Sequence, residues 1–223
     1  MNRELHKIPL NISNAILTIG PDYRNHRGGI GAVLEVYSKC FENFKFLASY
    51  KVGSVLYKSI YFFYFLFIFI IRLVLDGNIR IVHIHGASRG SFVRKFICFI
   101  IAKYIFRKKT IYHIHGAEYH LFYSHSNMII KKSIRIFINN SDCIFCLSEV
   151  WKDFFALNFN PKKIEIVPNI IDYPSVNNQN KGFLVKNFLF LGQIGNRKGI
   201  FDLLEVFLRN KEKYNGIITL VIG

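Results

Sequence analysis

The sequence is poor in acidic residues. Its 223 residues include 14 Asp and Glu against 30 Lys and Arg, which gives a formal net charge of +16. Such a charge favours three classes of partner: nucleic acids, anionic lipid surfaces and phosphorylated small substrates. Zinc-finger, homeodomain and RNP-type patterns are absent, and most basic residues are spread through apolar segments. The sequence therefore disfavours a nucleic-acid-binding protein.

Cysteine is also scarce. The four cysteines are Cys40, Cys98, Cys143 and Cys146. The last two have CxxC spacing, but they lie in an apolar run that predicts a strand, where residues three apart point to opposite faces. The spacing therefore favours buried free thiols over a redox or metal site. The N-terminus also lacks a secretory signal pattern, so we expect a protein of the reducing cytoplasm.

No uninterrupted apolar run reaches the roughly 20 residues that a helix needs to cross a bilayer. The run IYFFYFLFIFII at residues 60–71 ends at Arg72, within a predicted helix around residues 55–75. We expect a buried core helix or an interfacial helix here, and a tilted or distorted membrane span stays open as an alternative. The chain is nevertheless 51% hydrophobic and 16% aromatic, which is enough to bury a large core.

Strand-like runs alternate with helical patterns along most of the chain. The first strand, at residues 14–21, is followed by a glycine-rich loop with Gly28, Gly29 and Gly31 and then by a helical pattern. The spacing is GGxG and not GxGxxG, so the dinucleotide fingerprint is absent. The alternation predicts an α/β protein whose first domain is a Rossmann-like parallel sheet with helices on both faces.

The sequence also predicts a domain boundary. VNNQNKG at residues 176–182 is polar and without periodicity, so we assign residues 1–175 to a first domain and 176–187 to a linker. FLFLGQIGNRKG at residues 188–199 then predicts a strand, a glycine-bearing loop and a basic pair before a helix, which is the local chemistry of a phosphate cradle. Residues 188–223 are thus predicted to be the first β-α-β of a second, incomplete Rossmann-like domain.

The sequence HIHG occurs twice, at residues 83–86 and at residues 113–116. Each copy ends a predicted strand, and ligands of doubly wound sheets bind at the carboxyl ends of the strands. Because side chains alternate along a strand, the two histidines of each copy share a face. The two copies are therefore candidates for a ligand site.

The four histidines are expected to differ in role. A metal site would require all of them to converge, and Glu118 is the one carboxylate nearby, so we predict no metal. We expect structural roles for His83 and His113. His115 precedes a loop that ends at Glu118, where the backbone can approach a ligand, and its neutral imidazole can donate or accept a hydrogen bond.

Basic and aromatic residues interleave in the helical segments at residues 89–109 and 128–140. One interpretation is that these helices pack on the sheet while their basic side chains snorkel to water. The other is docking on an anionic membrane to reach a lipid-linked substrate. The two interpretations are compatible, and both stay open.

Six motifs in order carry a resemblance that covers nearly the whole chain. Together they resemble the family-4 retaining glycosyltransferases of the GT-B fold: GGIGAVLEVY (28–37), IVHIHG (81–86), TIYHIHGAEY (110–119), CLSEVWKDFF (146–155), IVPNIID (166–172) and FLFLGQIGNRKGIFDLLE (188–205).

The resemblance implies two Rossmann-like domains that face each other across a cleft. The first mainly holds the acceptor, and the second binds the nucleotide-sugar donor, which is a co-substrate, so no cofactor is expected. The implied reaction transfers a sugar to a growing, lipid-linked surface glycan, of the lipopolysaccharide or capsule type, at the cytoplasmic face of the membrane.

The resemblance also implies the site residues. His115 would sit over the reacting sugar, and Lys198 would neutralise the donor diphosphate, on which charge grows as the glycosidic bond breaks. The residues implied or expected to line the donor and acceptor sites are Gly28, Gly29, Gly31, Glu118, Ser148, Glu149, Gln193 and Arg197.

Two departures from the family pattern matter. Gln193 stands where the family usually has arginine, and Arg197 is the candidate substitute. The family's paired glutamates, separated by seven residues, are missing, so we expect a chain truncated early in the donor-binding domain, with little or no activity of its own. The alternative is a non-catalytic module that reuses the first domain to bind a membrane surface or a partner protein.

Overall fold

A computed structural model of the chain describes residues 7–25, 29–170, 187–192, 194–214 and 219–222. The chain divides into two compact units, Met1–Tyr173 and Pro174–Gly223. The first unit contains a sheet of six parallel strands: β1 (Ile16–Pro21), β2 (Lys45–Tyr50), β3 (Ile81–Gly86), β4 (Lys109–Ile114), β5 (Cys143–Cys146) and β6 (Ile164–Ile166).

Helices flank this sheet, and side-chain caps fix where two of them begin. Ser54 accepts a hydrogen bond from the backbone N–H of Tyr57 at 3.2 Å, and Asn127 accepts one from Ile130 at 3.0 Å. The helices are α1 (Leu10–Ser13), α2 (Gly29–Cys40), α3 (Val55–Leu75), α4 (Gly90–Ile100), which a π-helical turn (Ile101–Ile105) continues, α5 (Tyr119–His125), α6 (Met128–Asn140) and α7 (Glu149–Asn158). The predicted α/β class and parallel sheet are confirmed.

The strand order is β2-β1-β3-β4-β5-β6. The chain moves outward from β1 to β2, returns to β3 and then continues in the opposite direction, so the order reverses between β1 and β3. That reversal is the switch point at which doubly wound sheets open a crevice at their carboxyl edge. Strand β2, which borders this point, is absent from the sequence-based predictions.

The core lies between the central strands and their helices. Every residue of β3 after Ile81 is buried, as expected for a parallel strand covered on both faces. On one side of the sheet, the ring of Tyr112 stacks on Phe137 with centroids 3.9 Å apart, which ties β4 to α6. The four cysteines are free, and Cys98 and Cys146 are buried, as predicted.

For helix α3 the sequence predicts a buried core helix or an interfacial helix, and its exposure contradicts the first of these. Phe65, Phe69 and Leu73 are buried, whereas most of its other side chains are exposed. The hydroxyl of Tyr61 donates a hydrogen bond of 2.9 Å to the carbonyl of Ala48 in β2. The helix also extends beyond the 12-residue apolar run to 21 residues, and in the described part of the chain it is the one helix long and apolar enough to cross a membrane.

The second unit contains two parallel strands, β7 (Asn187–Phe190) and β8 (Thr219–Ile222), paired from Asn187 with Thr219 to Phe190 with Ile222. Between them lie a 3₁₀ turn (Asn196–Lys198), α8 (Ile200–Arg209) and α9 (Lys211–Tyr214). This is the predicted β-α-β order. Of the predicted linker, residues 176–186 lie outside the described residues, and Asn187 begins β7.

The end of β3 generates a test of the packing. A Cβ atom added at Gly86 would lie 2.7 Å from Cε2 of Tyr112, and the stack on Phe137 restrains that ring. We expect Gly86→Ala to lower the free energy of unfolding by about 1–3 kcal/mol, measured by urea denaturation. Gly77→Ala is the matched control, because a Cβ atom there would meet no atom within 4 Å. Equal stability of the two variants would contradict the packing described here.

Candidate functional site

The histidines of the two HIHG sequences form one cluster. Strands β3 and β4 pair in a register that sets His85 beside His113, and alternation adds His83 and His115 on the same face of the sheet. Ring centroids lie 4.2 Å apart for His83 and His85, 4.8 Å for His85 and His113, and 4.1 Å for His113 and His115. These four residues are the histidine cluster, and His115 stands at its carboxyl-edge end.

His115 is held through both of its ring nitrogens. Nε2 lies 2.9 Å from Nδ1 of His85, and Nδ1 lies 3.2 Å from Oδ1 of Asn169. An amide oxygen can only accept, so Nδ1 of His115 carries the proton and donates to Asn169, while Nε2 accepts a hydrogen bond from Nδ1–H of His85. This network fixes one tautomer of His115 and directs its N–H toward Asn169.

Burial keeps the cluster neutral at physiological pH. Loss of hydration lowers the pKa of His83 to about 3 and that of His113 to about 2, and the neighbouring histidines add to both shifts. Burial likewise lowers the pKa of His115 to about 4, although the hydrogen bond to Asn169 opposes the shift. The pKa of His85 also lies well below its usual value because of burial and its histidine neighbours. The four imidazoles are therefore uncharged at physiological pH, and the cluster is not a charged site.

Histidine nitrogens are possible metal ligands, so the cluster is also a candidate metal site. His83, His85 and His113 offer nitrogen atoms that lie within 4.8 Å of one another, and each has a buried ring nitrogen without a partner among the described residues. The group contains no carboxylate, and the nearby ammonium of Lys95, which lowers the pKa of His85 further, repels a cation. That no metal binds here stays a prediction.

Helix α2 covers part of the cluster. The ring of Tyr37 meets the ring of His85 edge-on, with centroids 5.3 Å apart. Gly29 and Gly31, two of the predicted ligand-binding glycines, lie in the first turn of this helix, which follows the carboxyl end of β1. Gly31 is buried, whereas Gly29 is exposed. Gly28 lies outside the described residues.

Three more of the predicted site residues follow the carboxyl ends of β4 and β5. Glu118 precedes the first turn of α5, Ser148 precedes α7, and Glu149 is its first residue. The carboxylate of Glu149 is largely exposed and lies 3.5 Å from Nζ of Lys152. The sheet thus brings these residues to the same edge as His115, since parallel strands end together.

The predicted donor-binding residues belong to the second unit. Lys198 ends the 3₁₀ turn between β7 and α8, and its side chain is exposed. Gly199 follows with φ +71°, in the left-handed region that favours glycine, and allows the chain to turn into α8. Arg197 lies in the same turn. Gln193 lies outside the described residues.

Sequence reasoning missed two residues of the first unit. Asn169 holds His115 across 54 positions of the chain, a contact that no local pattern indicates. Lys95 is not a snorkelling side chain, since it is only 2% exposed. The spacing of Phe92, Lys95 and Phe99 already places this lysine on the buried face of α4, and helical periodicity is the signal that could have found it.

The neutral cluster predicts acid-sensitive stability. Histidines of the unfolded chain titrate near pH 6.5, so below that pH the unfolded state binds more protons than the folded state. The contribution of these neutral histidines to the free energy of unfolding is fully present above pH 6.5. It declines as the pH falls toward their pKa values in the folded protein, which are about 4 to 2. For each such histidine the loss is roughly 1.4 kcal/mol per pH unit.

A variant isolates this effect. His113→Phe removes one neutral histidine, and we expect the unfolding free energy between pH 6.5 and 5 to fall less steeply than in the wild type. His125→Gln, an exposed position on α5, is the control and keeps the wild-type slope. Urea denaturation across this pH range measures both. A His113→Phe slope equal to that of the wild type would contradict the burial of a neutral imidazole.

Comparison with known proteins gives the family of this chain. The profile of the family described as Glycosyltransferase Family 4 matches residues 36–173, which is more than half of the chain and includes the whole histidine cluster. No curated protein matches the chain at a significant level. The chain therefore belongs to Glycosyltransferase Family 4.

Proposed function

We propose that this protein transfers a sugar, with retention of its anomeric configuration, from a nucleotide-sugar donor to a growing, lipid-linked surface glycan. The observation that carries the proposal is the family match, and the neutral histidine cluster at the carboxyl edge of the sheet, with its hydrogen bond between His85 and His115, supports it. That edge is where doubly wound sheets bind their ligands. The first unit supplies the acceptor side of the reaction.

His115 is proposed to contact the reacting sugar. Its Nε2 is held by the buried His85, whereas its Nδ1–H is directed at Asn169 near the surface. A sugar hydroxyl can replace Asn169 as the acceptor of this proton without disturbing the inner bond. The imidazole then orients the sugar by donating a hydrogen bond to it. The low pKa of His115 keeps the imidazole uncharged through the reaction.

Lys198 is proposed to contact the donor diphosphate. Its ammonium is exposed directly before α8, whose first turn presents backbone N–H groups. A fixed cation and N–H groups at this place stabilise the charge that develops on the leaving nucleoside diphosphate. Arg197 adds positive charge to the same loop. Neither a metal nor a resident cofactor is part of this proposal.

A transfer assay tests the reaction. A panel of radiolabelled nucleotide sugars is supplied together with a lipid extract that contains lipid-linked acceptors. The 223-residue chain and, in parallel, the chain extended by the codons that follow position 223 in its gene are assayed. We expect label in a lipid-soluble product, and His115→Ala to lower the rate by about 10²-fold.

The matched control is His120→Ala, since His120 is an exposed histidine on α5. It keeps the wild-type rate. Absence of transfer by both forms of the chain, with every donor, would overturn the enzyme proposal in favour of a non-catalytic binding module. An unchanged rate in His115→Ala would remove His115 from the site.

The outer face of α3 is proposed to dock on the cytoplasmic face of an anionic membrane. Val55, Leu56, Ile60, Phe63 and Phe67 are each at least 61% exposed, and an exposed apolar face of this kind marks membrane or protein interaction sites. The helix contains no acidic residue that would repel anionic headgroups.

Interfacial docking is favoured over a membrane span. Phe65, Phe69 and Leu73 are buried against the core of the first unit, and Tyr61 is bonded to β2. Insertion across the bilayer would remove these side chains and expose the core surface that they cover, at a cost of about 1.5–3 kcal/mol for each large apolar side chain uncovered. Docking keeps the inner contacts and buries the outer face in lipid.

Vesicle binding tests this surface. We expect the chain to co-sediment with vesicles that contain phosphatidylglycerol more strongly than with pure phosphatidylcholine vesicles. The double variant Phe63→Ser/Phe67→Ser is expected to weaken binding by about tenfold or more, because it removes two apolar anchors. The control, Val150→Ser/Leu157→Ser, changes two apolar residues on α7 that are at least as exposed as Phe63 and Phe67. Equal binding of the two double variants would contradict docking through α3.

A further inference from the structure

A cavity of about 210 Å³ lies at the switch point of the sheet, outside the histidine cluster. The carboxyl ends of β1 and β2, the residue after β3 and the first turns of α4 line it. We call it the switch-point cavity. It is smaller than the roughly 300–1,000 Å³ pockets that hold drug-sized ligands. It therefore suits one small group of a larger ligand.

A buried lysine forms one wall of this cavity. Lys95 is 2% exposed, and its Nζ donates a hydrogen bond to Oγ of Ser49, which in turn donates to the carbonyl of Gly20 at 3.0 Å. Within the described residues, no salt bridge joins Lys95 to a carboxylate. Burial lowers the pKa of Lys95 to about 7. A desolvated ammonium without a counter-charge costs several kcal/mol, and a bound anion would remove that cost.

Arg94 brings a second cation to the same cavity. Its guanidinium lies 4.9 Å from the ring centre of Tyr50, and its Nε is buried without a hydrogen-bond partner among the described residues. A guanidinium N–H that is withdrawn from water and left unpaired is a donor available to a ligand oxygen. None of the described residues that line the cavity is Asp or Glu.

We propose that the switch-point cavity binds a phosphate or diphosphate group, with Lys95 and Arg94 as its counter-ions. The ammonium and the guanidinium around a small cavity offer the donors that phosphate oxygens need. Neither the family match nor the resemblance assigns a role to these residues.

The position of the cavity favours the acceptor as the source of this phosphate. Tyr50 lines the cavity, and the ammonium of Lys58 on α3 lies 5.7 Å from the centre of the same ring. The cavity therefore adjoins the helix proposed to dock on the membrane, where the phosphate of a lipid-linked acceptor would be presented. This assignment to the acceptor rests on the proposed function, whereas the anion site itself does not.

Calorimetric titration of the 223-residue chain with inorganic pyrophosphate at pH 7.5 tests the site. We expect saturable binding that Lys95→Met weakens by at least tenfold and Arg94→Gln by about tenfold. The matched control is Lys132→Met, because Lys132 is an exposed lysine on α6, away from the cavity. Binding unchanged in both cavity variants, or weakened equally in the control, would overturn the site.

Proton uptake provides a second readout. The titratable groups that act on Lys95 or are acted on by it are Cys98, Arg94 and His85. An anion beside Lys95 favours its charged form, so binding at pH 7.5 should take up as much as about three quarters of a proton more in the wild type than in Lys95→Met. Titration in buffers of different ionisation enthalpy measures this difference. Equal proton uptake by the two proteins would show that the anion does not contact Lys95.

Competition separates the two sources of phosphate. Farnesyl diphosphate, a lipid diphosphate, is expected to displace pyrophosphate at lower concentration than uridine diphosphate, which represents the donor. The opposite order would overturn the assignment to the acceptor and leave the anion site standing. Pyrophosphate binding that persists while the transfer assay fails would defeat the proposed reaction alone.

Discussion

The parallel pairing of β3 with β4 is the constraint on which the site depends. Its register sets His85 opposite His113 and places the two HIHG sequences side by side. A slip of one residue would turn the histidines of one strand to the other face of the sheet. The inner bond of His115, the neutrality of the cluster and the close fit of Gly86 to Tyr112 all follow from that register.

The histidine cluster and the switch-point cavity share one property, because both contain buried titratable side chains without a counter-charge among the described residues. In the cluster the protein avoids the cost of buried charge, because an imidazole can lose its proton at neutral pH. In the cavity, Lys95 retains a substantial charged fraction near neutral pH, and Arg94 stays charged because a guanidinium does not release its proton. One edge of the sheet thus holds neutral imidazoles beside two cations, and the phosphorylated glycan acceptor that we propose would present hydroxyls to the imidazoles and phosphate to the cations.

Much of the fold could be predicted from the sequence, because its strands are short β-branched runs and several end in glycine. Strands β3 and β4 follow from such runs. The bounds of α3 follow instead from the long apolar run that stops before the turn at Asp76. Strand β2 could not be predicted, since KFLASY is short, mixed in polarity and only partly buried. The same loss affected the site, because Ser49 lies on β2 and its hydrogen bond to Lys95 joins residues 46 positions apart. The position of His115 at the carboxyl edge was predictable. Its hydrogen bond to Asn169 was not, because it depends on the path of the chain after β6.

Helix α3 has a consequence for how the purified protein behaves in solution. Its inner side chains hold β2 at the edge of the sheet, and its outer side chains present an apolar surface to the solvent. Any amphiphile that shields this surface stabilises the folded chain by mass action, because it binds the assembled helix and not the unfolded one. Without an amphiphile, the same surface is free to associate with a second copy of itself. Detergent concentration is therefore a thermodynamic variable for this protein, and a denaturation midpoint has meaning only at a stated value of it.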